Sequence, residues 1–531
     1  MRNINPLLLT DGYKTGHHMQ YPEGTTLVYS NFTPRSLKHA PKHCKEIVSF
    51  GQQMVMKIIH ESFEKDFFHE PKEQVCGEMK RELSMYLNTD YDVSHFEALW
   101  DLQYLPIKVK AIEEGSVIGE KIPVLTIYNT HPDFYWVTNY LETIISNLLW
   151  KPMTSATIAH NYRKVLTKWQ EKTDAEKGWF IDWQGHDFSM RGMDSIDATV
   201  SSGIGHLTSF SGSDSLPAIY GARKYYGETG FIAGSVNATE HSVMCAGGKE
   251  DEIETFRRLL DTYPTGILSV VSDTWDLWKV CTEHVVTLKE EIMARDGKLV
   301  IRPDSGDPVD ILCGTIKENT NSLEGNIEDA IIDNKKDGFD GLYPYQKGVI
   351  ELLWDVFGGT INEQGYKVLD PHIGAIYGDS ITIDRANEIC ERLEAKGFAS
   401  TNVVLGIGSF TYQYNTRDTF GFAMKATYVE VRHLDVATER LNDAFGKNAN
   451  PEWVEGREIF KDPITDDGTK KSATGLLRVT TGEDGYKLID RQTWSGENTG
   501  ELKAIYEDGI FYNQTTLTQI RERLTRVLEN V

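Results

Sequence analysis

Arg302 and Asp304 follow directly on the apolar run Leu299–Ile301 in the stretch LVIRPDSGDP, residues 299–308. Three apolar residues, two of them β-branched, predict a short buried strand. Pro303 and Pro308 stiffen the turn after it, and Gly306 lets the backbone approach a ligand closely. A planar, permanently charged guanidinium can clamp phosphate through paired hydrogen bonds. A carboxylate two residues on can accept from ribose hydroxyls or help hold Mg²⁺. Chemistry on a phosphorylated sugar is what this pair suits. Alone, the stretch reads more simply as an ion pair in a strand-end turn, but the chain repeats the device.

His186, Asp187, Phe188, Arg191, Asp214, His241, Asp273, Gly378, Asp379, Gly408, Ser409 and Arg417 also lie at or just after strand-like runs. Gathered on one face, the arginines, carboxylates and histidines would make a phosphate and ribose site, with GD and GxGS turns presenting backbone N–H groups to phosphate oxygens. Simpler roles remain open for several of them. His241 in TEHS can merely start a helix, with Ser242 as its cap. Asp214 in GSDS can be a turn residue, Phe188 can be core, and Trp183 core or rim.

The elements that must position these residues alternate strand and helix from about residue 180. Runs ending at His186–Gly192, Gly212–Ser215, Gly234–His241, Ser272–Asp273, Arg302–Asp304, Gly378–Asp379 and Gly406–Phe410 are each followed by a helix-like or polar stretch. Among the helices expected are Ser195–Leu207, Glu252–Tyr263, a long one over Asp276–Ala294, and Ile383–Lys396. Asp273 and Asp304 are 31 residues apart, and Asp379 and Gly408 are 29 apart, each about one βα unit. This pattern predicts an α/β fold: a (β/α) barrel or doubly wound sheet over 180–415, with a polar, acidic insertion near 319–343 placed at the surface. Residues 1–150 read as an α+β domain. In it Leu27–Phe32 alternates like an edge strand, a helical stretch Glu61–Leu87 breaks at Pro71, and Pro106–Ile127 forms two strands and a turn. Two amphipathic helices, Tyr135–Trp150 and Ala156–Glu171, lead into the next domain. Residues 416–531 return to strand texture, pass a polar segment at 462–472 and rejoin the N-terminal domain.

At 531 residues, with 40% hydrophobic and 25% charged side chains, the chain has the composition of a globular protein too long for one ordinary core. A net charge of −24 argues against a nucleic-acid binder. The opening MRNINPLLLTDGYK has no signal-peptide or membrane-span pattern. Six cysteines without CxxC spacing are expected to be reduced, packed thiols of a cytoplasmic protein.

The segments TDGYK (10–14), HDFSMRG (186–192), GSDS (212–215), SVNATEHS (235–242), SVVSD (269–273), IRPDSGDP (301–308), GD (378–379) and TRD (416–418) resemble, in order and over nearly the whole length, the nicotinamide enzymes of the nicotinate/nicotinamide phosphoribosyltransferase family. The resemblance implies an irregular barrel with a flanking α+β domain built from both chain ends, and an obligate homodimer with shared active sites. It implies transfer of phosphoribose from phosphoribosyl pyrophosphate to nicotinamide in NAD salvage, with Mg²⁺ held mainly through pyrophosphate and water. It also implies coupling to ATP hydrolysis through a phosphorylated His241. By the same resemblance Phe188 and a partner subunit's Tyr13 sandwich the pyridine ring, and Asp214 accepts from the carboxamide and repels a carboxylate. Arg191 and Arg302 bind phosphate or pyrophosphate, Asp304 the ribose, and Asp273 acts through Mg²⁺ and water. Gly378, Asp379 and Arg417 hold the ribose and its 5′-phosphate, while Arg35 and Lys425 reach the phosphates from the partner.

Three departures stand out against the family. Gly408-Ser409-Phe410 replaces a glycine triplet, so Ser409 must serve through its backbone. Asp307 stands where Asn is familiar, and the insertion near 319–343 is additional. The competing readings are a nicotinate phosphoribosyltransferase, a silent nucleotide-binding homologue, and an unrelated sugar-phosphate aldolase or lyase. The last would want a lysine at a strand end, which none of these ends provides.

Overall fold

A computed structural model describes residues 4–315, 323–336, 338–378, 380–434, 452–461, 464, 473–483 and 485–529. Asp379, the start of the insertion near 319–343 and nearly all of the polar segment 462–472 lie outside the described residues. The chain divides into two compact units, one of residues 1–157, 221–228 and 415–531, the other of 158–220 and 229–414.

The first unit is built on a seven-stranded sheet in the order Glu452–Glu458, Phe422–Leu434, Thr25–Pro34, Leu125–Asn129, Ile107–Ala111, Lys503–Glu507, Ile510–Phe511. Its pairings are antiparallel. Thr25–Pro34 is central in this sheet, not an edge. The alternation that suggests an edge comes from Ser30 and Asn31, which are buried yet satisfied: Ser30 donates to Asn139 Oδ1 at 2.7 Å and Asn31 to the Lys425 carbonyl at 3.2 Å. Residues 106–127 hold three strands rather than two, because Val117–Ile118 pairs with Ile47–Val48. Helices Gln52–Phe63 and Lys72–Leu87 are interrupted as expected at Pro71, through a π turn at Glu64–Phe68.

Glu142–Thr173 is one continuous helix where the sequence suggests two. Pro152 lies inside it, but Ile145, Leu149, Met153, Ala156, Ala159 and Tyr162 are all buried, and that packing carries the helix across the proline.

The second unit is a parallel sheet of seven strands: β1 Gly185–Asp187, β2 Gly212–Ser213, β3 Asn237–Ala238, β4 Thr265–Val271, β5 Asp296–Arg302, β6 Ile373–Tyr377 and β7 Val403–Ile407. The order is β2-β1-β7-β6-β5-β4-β3, and a parallel bridge between Gly212 and Gly234 joins the β2 edge to the chain entering β3. The result is an irregular (β/α) barrel, one of the two arrangements the strand–helix alternation allows and the one the resemblance implies. Leu268, Val270, Leu299, Ile301, Ile373, Val403, Leu405 and Ile407 are buried and pack the strands. Strand β3 is only two residues long; Gly234 bridges to Gly212 outside the ladder. The expected long helix over Asp276–Ala294 is broken into short turns around a π turn at Val280–His284, whose last residue faces Glu252 at 3.3 Å. The six cysteines are free thiols, with only Cys245 exposed. No helix among the described residues is long and apolar enough to cross a membrane.

Two buried polar pairs yield predictions. Lys110 Nζ donates to Glu497 Oε2 at 2.9 Å and to its carbonyl at 2.7 Å, and Tyr29 donates to the same carboxylate. Lys110→Met should therefore destabilise the fold by about 3–5 kcal/mol in denaturant unfolding, because it strands a buried charge. In the second unit burial, opposed by Lys279 and aided by Asp276, pushes the Glu252 carboxyl up to about 7. The folded state thus disfavours the carboxylate, and stability falls as pH rises from the ordinary 4.5 towards 7. Glu252→Gln escapes that loss, so its melting temperature relative to the parent should rise between about pH 5 and about pH 8.

Candidate active site

The C-terminal ends of β4 and β5 are tied together before any ligand is considered. Asp273, just past β4, accepts at Oδ2 from the Asp304 backbone N–H at 2.9 Å and from the Ser305 hydroxyl at 2.5 Å. The Ser272 backbone N–H donates to the Arg302 carbonyl at 3.0 Å. The other Asp273 oxygen, Oδ1, is buried and has no hydrogen-bond partner. Gly306 adopts φ +90°, a left-handed conformation suited to glycine, and its carbonyl accepts from Tyr377 at 2.9 Å. Asp307 is accounted for locally: its Oδ1 caps the helix Pro308–Cys313, accepting from the backbone of Val309 at 3.0 Å and Asp310 at 3.2 Å. Gly378 approaches Asp304 so closely that a Cβ there would stand 2.7 Å from its Oδ1.

His241 opens the helix His241–Gly247, and its ring projects over this clamp. Nε2 lies 3.8 Å from Asp304 Oδ2 and 4.0 Å from Asp273 Oδ1, while Nδ1 is 3.2 Å from the Thr274 hydroxyl. With half its side chain exposed, this is no packed core histidine. Ser242 is not the helix cap; its hydroxyl donates to the Glu240 carboxylate. Arg302 is the electrostatic hub. Burial pulls its guanidinium below the ordinary value, the carboxylates of Asp304, Asp214 and Asp273 pull the other way, and Arg191 adds to the effect of burial. Its Nε is buried without a hydrogen-bond partner.

Beside the hub, β1 and β2 present a flat ring and a carboxylate. Phe188 stacks on His186 with centroids 4.5 Å apart and planes at 30°. His186 Nε2 lies 2.9 Å from Asp214 Oδ1, and Ser235 donates to that same oxygen. Burial raises the Asp214 carboxyl, but His186, Ser235 and the charge of Arg302 outweigh it and hold the group below the usual carboxylate range. Arg191 is exposed in the turn Met190–Gly192. Ser409 starts the helix Ser409–Gln413, and its side chain fills the space that a Cβ on Gly192 would need.

In the second unit the structure thus brings together Arg191, Arg302, Asp214, Asp273, Asp304 and His241, with Gly378 against Asp304, Phe188 beside Asp214, and Ser409 against the Arg191 turn. The other expected site residues belong to the first unit. Tyr13 is 66% exposed in the turn Gly12–Gly16. Arg35 donates to the Gly421 carbonyl at 3.3 Å. Lys425, opposite Asn31 in the sheet, has its ammonium drawn down by burial, with Glu142 opposing and Arg35, Lys461 and Lys14 adding to the effect. Arg417 is exposed, 3.3 Å from Asp418. Sequence reasoning assigned no role to Ser235, Thr274 or Ser305, and named His186 without one. Their signal was weak, since each is a common turn or strand residue whose partner is distant in sequence. No cluster of three or more His, Cys, Asp or Glu suited to a metal occurs among the described residues. The orphaned Asp273 Oδ1 beside Asp304 instead fits a cation held through water.

A guanidinium with a free donor, three carboxylates, an imidazole and an aromatic face at one barrel rim can hold a phosphorylated sugar next to a flat base. The profile of the nicotinate phosphoribosyltransferase (NAPRTase) family matches residues 183–444, and that of the nicotinamide phosphoribosyltransferase N-terminal domain matches residues 5–98. A nicotinamide phosphoribosyltransferase of Acinetobacter baylyi is 48% identical, covering 99% of this chain and 98% of its own. One from Xanthomonas campestris pv. campestris is 30% identical, covering 97% of each chain. In fold, human nicotinic acid phosphoribosyltransferase superposes with a TM-score of 0.51 at 14% identity, over 98% of this chain and 94% of that one. By these full-length matches the chain belongs to the nicotinamide phosphoribosyltransferase family.

Proposed function

We propose that the protein transfers the phosphoribosyl group of phosphoribosyl pyrophosphate to nicotinamide, giving nicotinamide mononucleotide and pyrophosphate in NAD salvage. We propose further that ATP hydrolysis is coupled to the transfer through a phosphorylated His241. The observation that carries the reading is the Asp273 clamp on the Asp304 turn, with His241 Nε2 within 4.0 Å of both carboxylates and the buried, unpartnered Nε of Arg302 on the same turn.

Arg302 and Arg191 take the phosphate oxygens, Arg302 with a desolvated guanidinium whose Nε has no competing partner. Asp304 takes the ribose hydroxyls. The base stacks on Phe188, and its carboxamide N–H₂ donates to Asp214. In the transfer the C1–O bond to pyrophosphate breaks and its electron pair leaves with pyrophosphate. The pyridine nitrogen lone pair then forms the new bond to C1, through an oxocarbenium-like state. Positioning and charge dominate such a step. The ring becomes cationic as it is ribosylated, and both the Phe188 face and the Asp214 charge favour that cation. A nicotinate carboxylate would meet the Asp214 charge instead.

For the ATP step, Asp273 and Asp304 flank Nε2 of His241 and stabilise the imidazolium charge, so Nδ1 is the attacking nitrogen once it leaves Thr274. Nδ1 bonds to the γ-phosphorus as the P–O bond to ADP breaks. Water later hydrolyses the N–P bond to release phosphate. Mg²⁺ belongs to the proposal; when bound it neutralises pyrophosphate charge, with Asp273 and Asp304 holding it through water. A homodimer belongs to it too. The exposed Tyr13 supports a base sandwich closed by the partner subunit's Tyr13, and the basic surroundings of Lys425 support phosphate contacts from the partner subunit's Arg35 and Lys425.

Purified protein should make nicotinamide mononucleotide from nicotinamide, faster with ATP, in a product assay run beside nicotinate. Nicotinate mononucleotide as the preferred product would overturn the reading. His241→Ala should abolish the ATP stimulation while leaving basal transfer, with no acid-labile phosphate on the protein. Asp214→Ser should raise KM for nicotinamide about 10- to 100-fold, the worth of a hydrogen bond to a charged acceptor, and should shift preference towards nicotinate. A variant that rejects nicotinate as strongly as the parent would remove Asp214 from base selection.

A further inference from the structure

His186 touches both groups that the proposed function assigns to the base, and nothing in that function uses it. The sheet register explains the arrangement. His186 pairs with Gly212 across β1 and β2 and Asp187 with Ser213, so His186 and Phe188 on one chain stand on the same face as Gly212 and Asp214 on the next. The ring fits there because residue 212 has no side chain: a Cβ would stand 2.8 Å from His186 Nδ1. Only a tenth of the His186 side chain is exposed. With the Phe188 ring stacked on it and Gly212 against its other nitrogen, its Nε2 has one direction in which to point, towards Asp214 Oδ1.

Two donors, His186 and Ser235, thus occupy one oxygen of Asp214. The other oxygen, Oδ2, has no hydrogen-bond donor among the described residues. A carboxylate free to rotate about its Cβ–Cγ bond would offer the base either oxygen, and ordering it would oppose binding. A carboxylate pinned through Oδ1 offers only Oδ2.

We infer that His186 is a positioning residue for base selection: through Nε2–H it fixes Asp214 with Oδ2 turned to accept from a carboxamide N–H₂, and through its ring it fixes the plane of Phe188. The inference rests on the nicotinamide reading of the site. It adds that amide recognition depends on a group that does not touch the base. Ser235 supports the same oxygen from the opposite direction in the chain, and Gly212 is the clearance that the device requires.

Steady-state kinetics with both bases on the parent and on four variants test it. His186→Phe keeps a ring against Phe188 and removes the donor. His186→Gln places an N–H where Nε2 stands, His186→Asn falls short of it, and Gly212→Ala pushes on the ring. His186→Phe and Gly212→Ala should raise KM for nicotinamide about tenfold or more. They should leave KM for phosphoribosyl pyrophosphate and kcat at saturating nicotinamide close to the parent values, and narrow the preference over nicotinate. His186→Gln should recover most of the affinity. Should His186→Phe fail to fold, the Gln and Asn variants decide, since only Gln retains the donor at the right reach. A parent that prefers nicotinate overturns the functional reading and this inference with it. A parent that makes nicotinamide mononucleotide, with His186→Phe or His186→Asn matching it in affinity and preference, overturns the inference alone. So does a loss shared equally between both substrates, which marks a merely structural residue.

Discussion

The Asp273 carboxylate, reaching from the end of β4 to the turn after β5, is the contact on which the site depends. One of its oxygens is spent on the Asp304 N–H and the Ser305 hydroxyl, which fixes how Arg302 and Asp304 leave the barrel. The other is buried, unpartnered and turned towards His241. A parallel sheet delivers every strand end to the same rim, but it does not set the relative height or tilt of neighbouring turns. The Asp273 clamp does that. It ties together residues 31 positions apart, across two neighbouring strand ends.

The charge distribution follows from that clamp. The chain carries −24 overall, and a polyanionic substrate would be repelled by most of such a surface. What offsets this is local: a guanidinium that has already lost much of its hydration, with Arg191 beside it. Three carboxylates keep Arg302 charged at little structural strain. On the proposed reading they also stand where ribose hydroxyls and a hydrated cation need acceptors, so balancing the charge of Arg302 in the free protein and receiving the sugar would be served by the same groups. On that reading an incoming phosphate meets a guanidinium Nε that has no partner to give up.

Much of this was legible in the sequence because strand ends announce themselves. An apolar run that stops at Arg-Pro-Asp or at Ser-Asp marks both the strand and the side chain it carries to the rim; the alternation of such runs with helical stretches narrowed the fold to a barrel or a doubly wound sheet, and the family resemblance chose the barrel. What failed to read directly was whatever depended on a distant partner. Ser30 and Asn31 look like polar residues of an edge strand until Asn139 and the Lys425 carbonyl are seen to satisfy them. Pro152 looks like a helix stop until the buried residues around it are counted as one packed face. His186 was visible as a strand residue, but its role lies in the pairing of two strands and needed the register.

The register also bears on how selectivity between an amide and an acid can arise. A carboxylate facing the base rejects an acid only while it is ionised, and partial burial works against ionisation. Asp214 accepts two hydrogen bonds on Oδ1, with Arg302 contributing at longer range, which on the proposed reading leaves Oδ2 for the base and resolves this conflict. The same bonds that keep it charged also orient it. Charge and direction are therefore not separate refinements, and any change that loosens the strand pairing at Gly212 disturbs both together. On that proposal, discrimination in this chain is set one layer behind the surface that the base would touch, where a glycine on one strand makes room for an imidazole on the next.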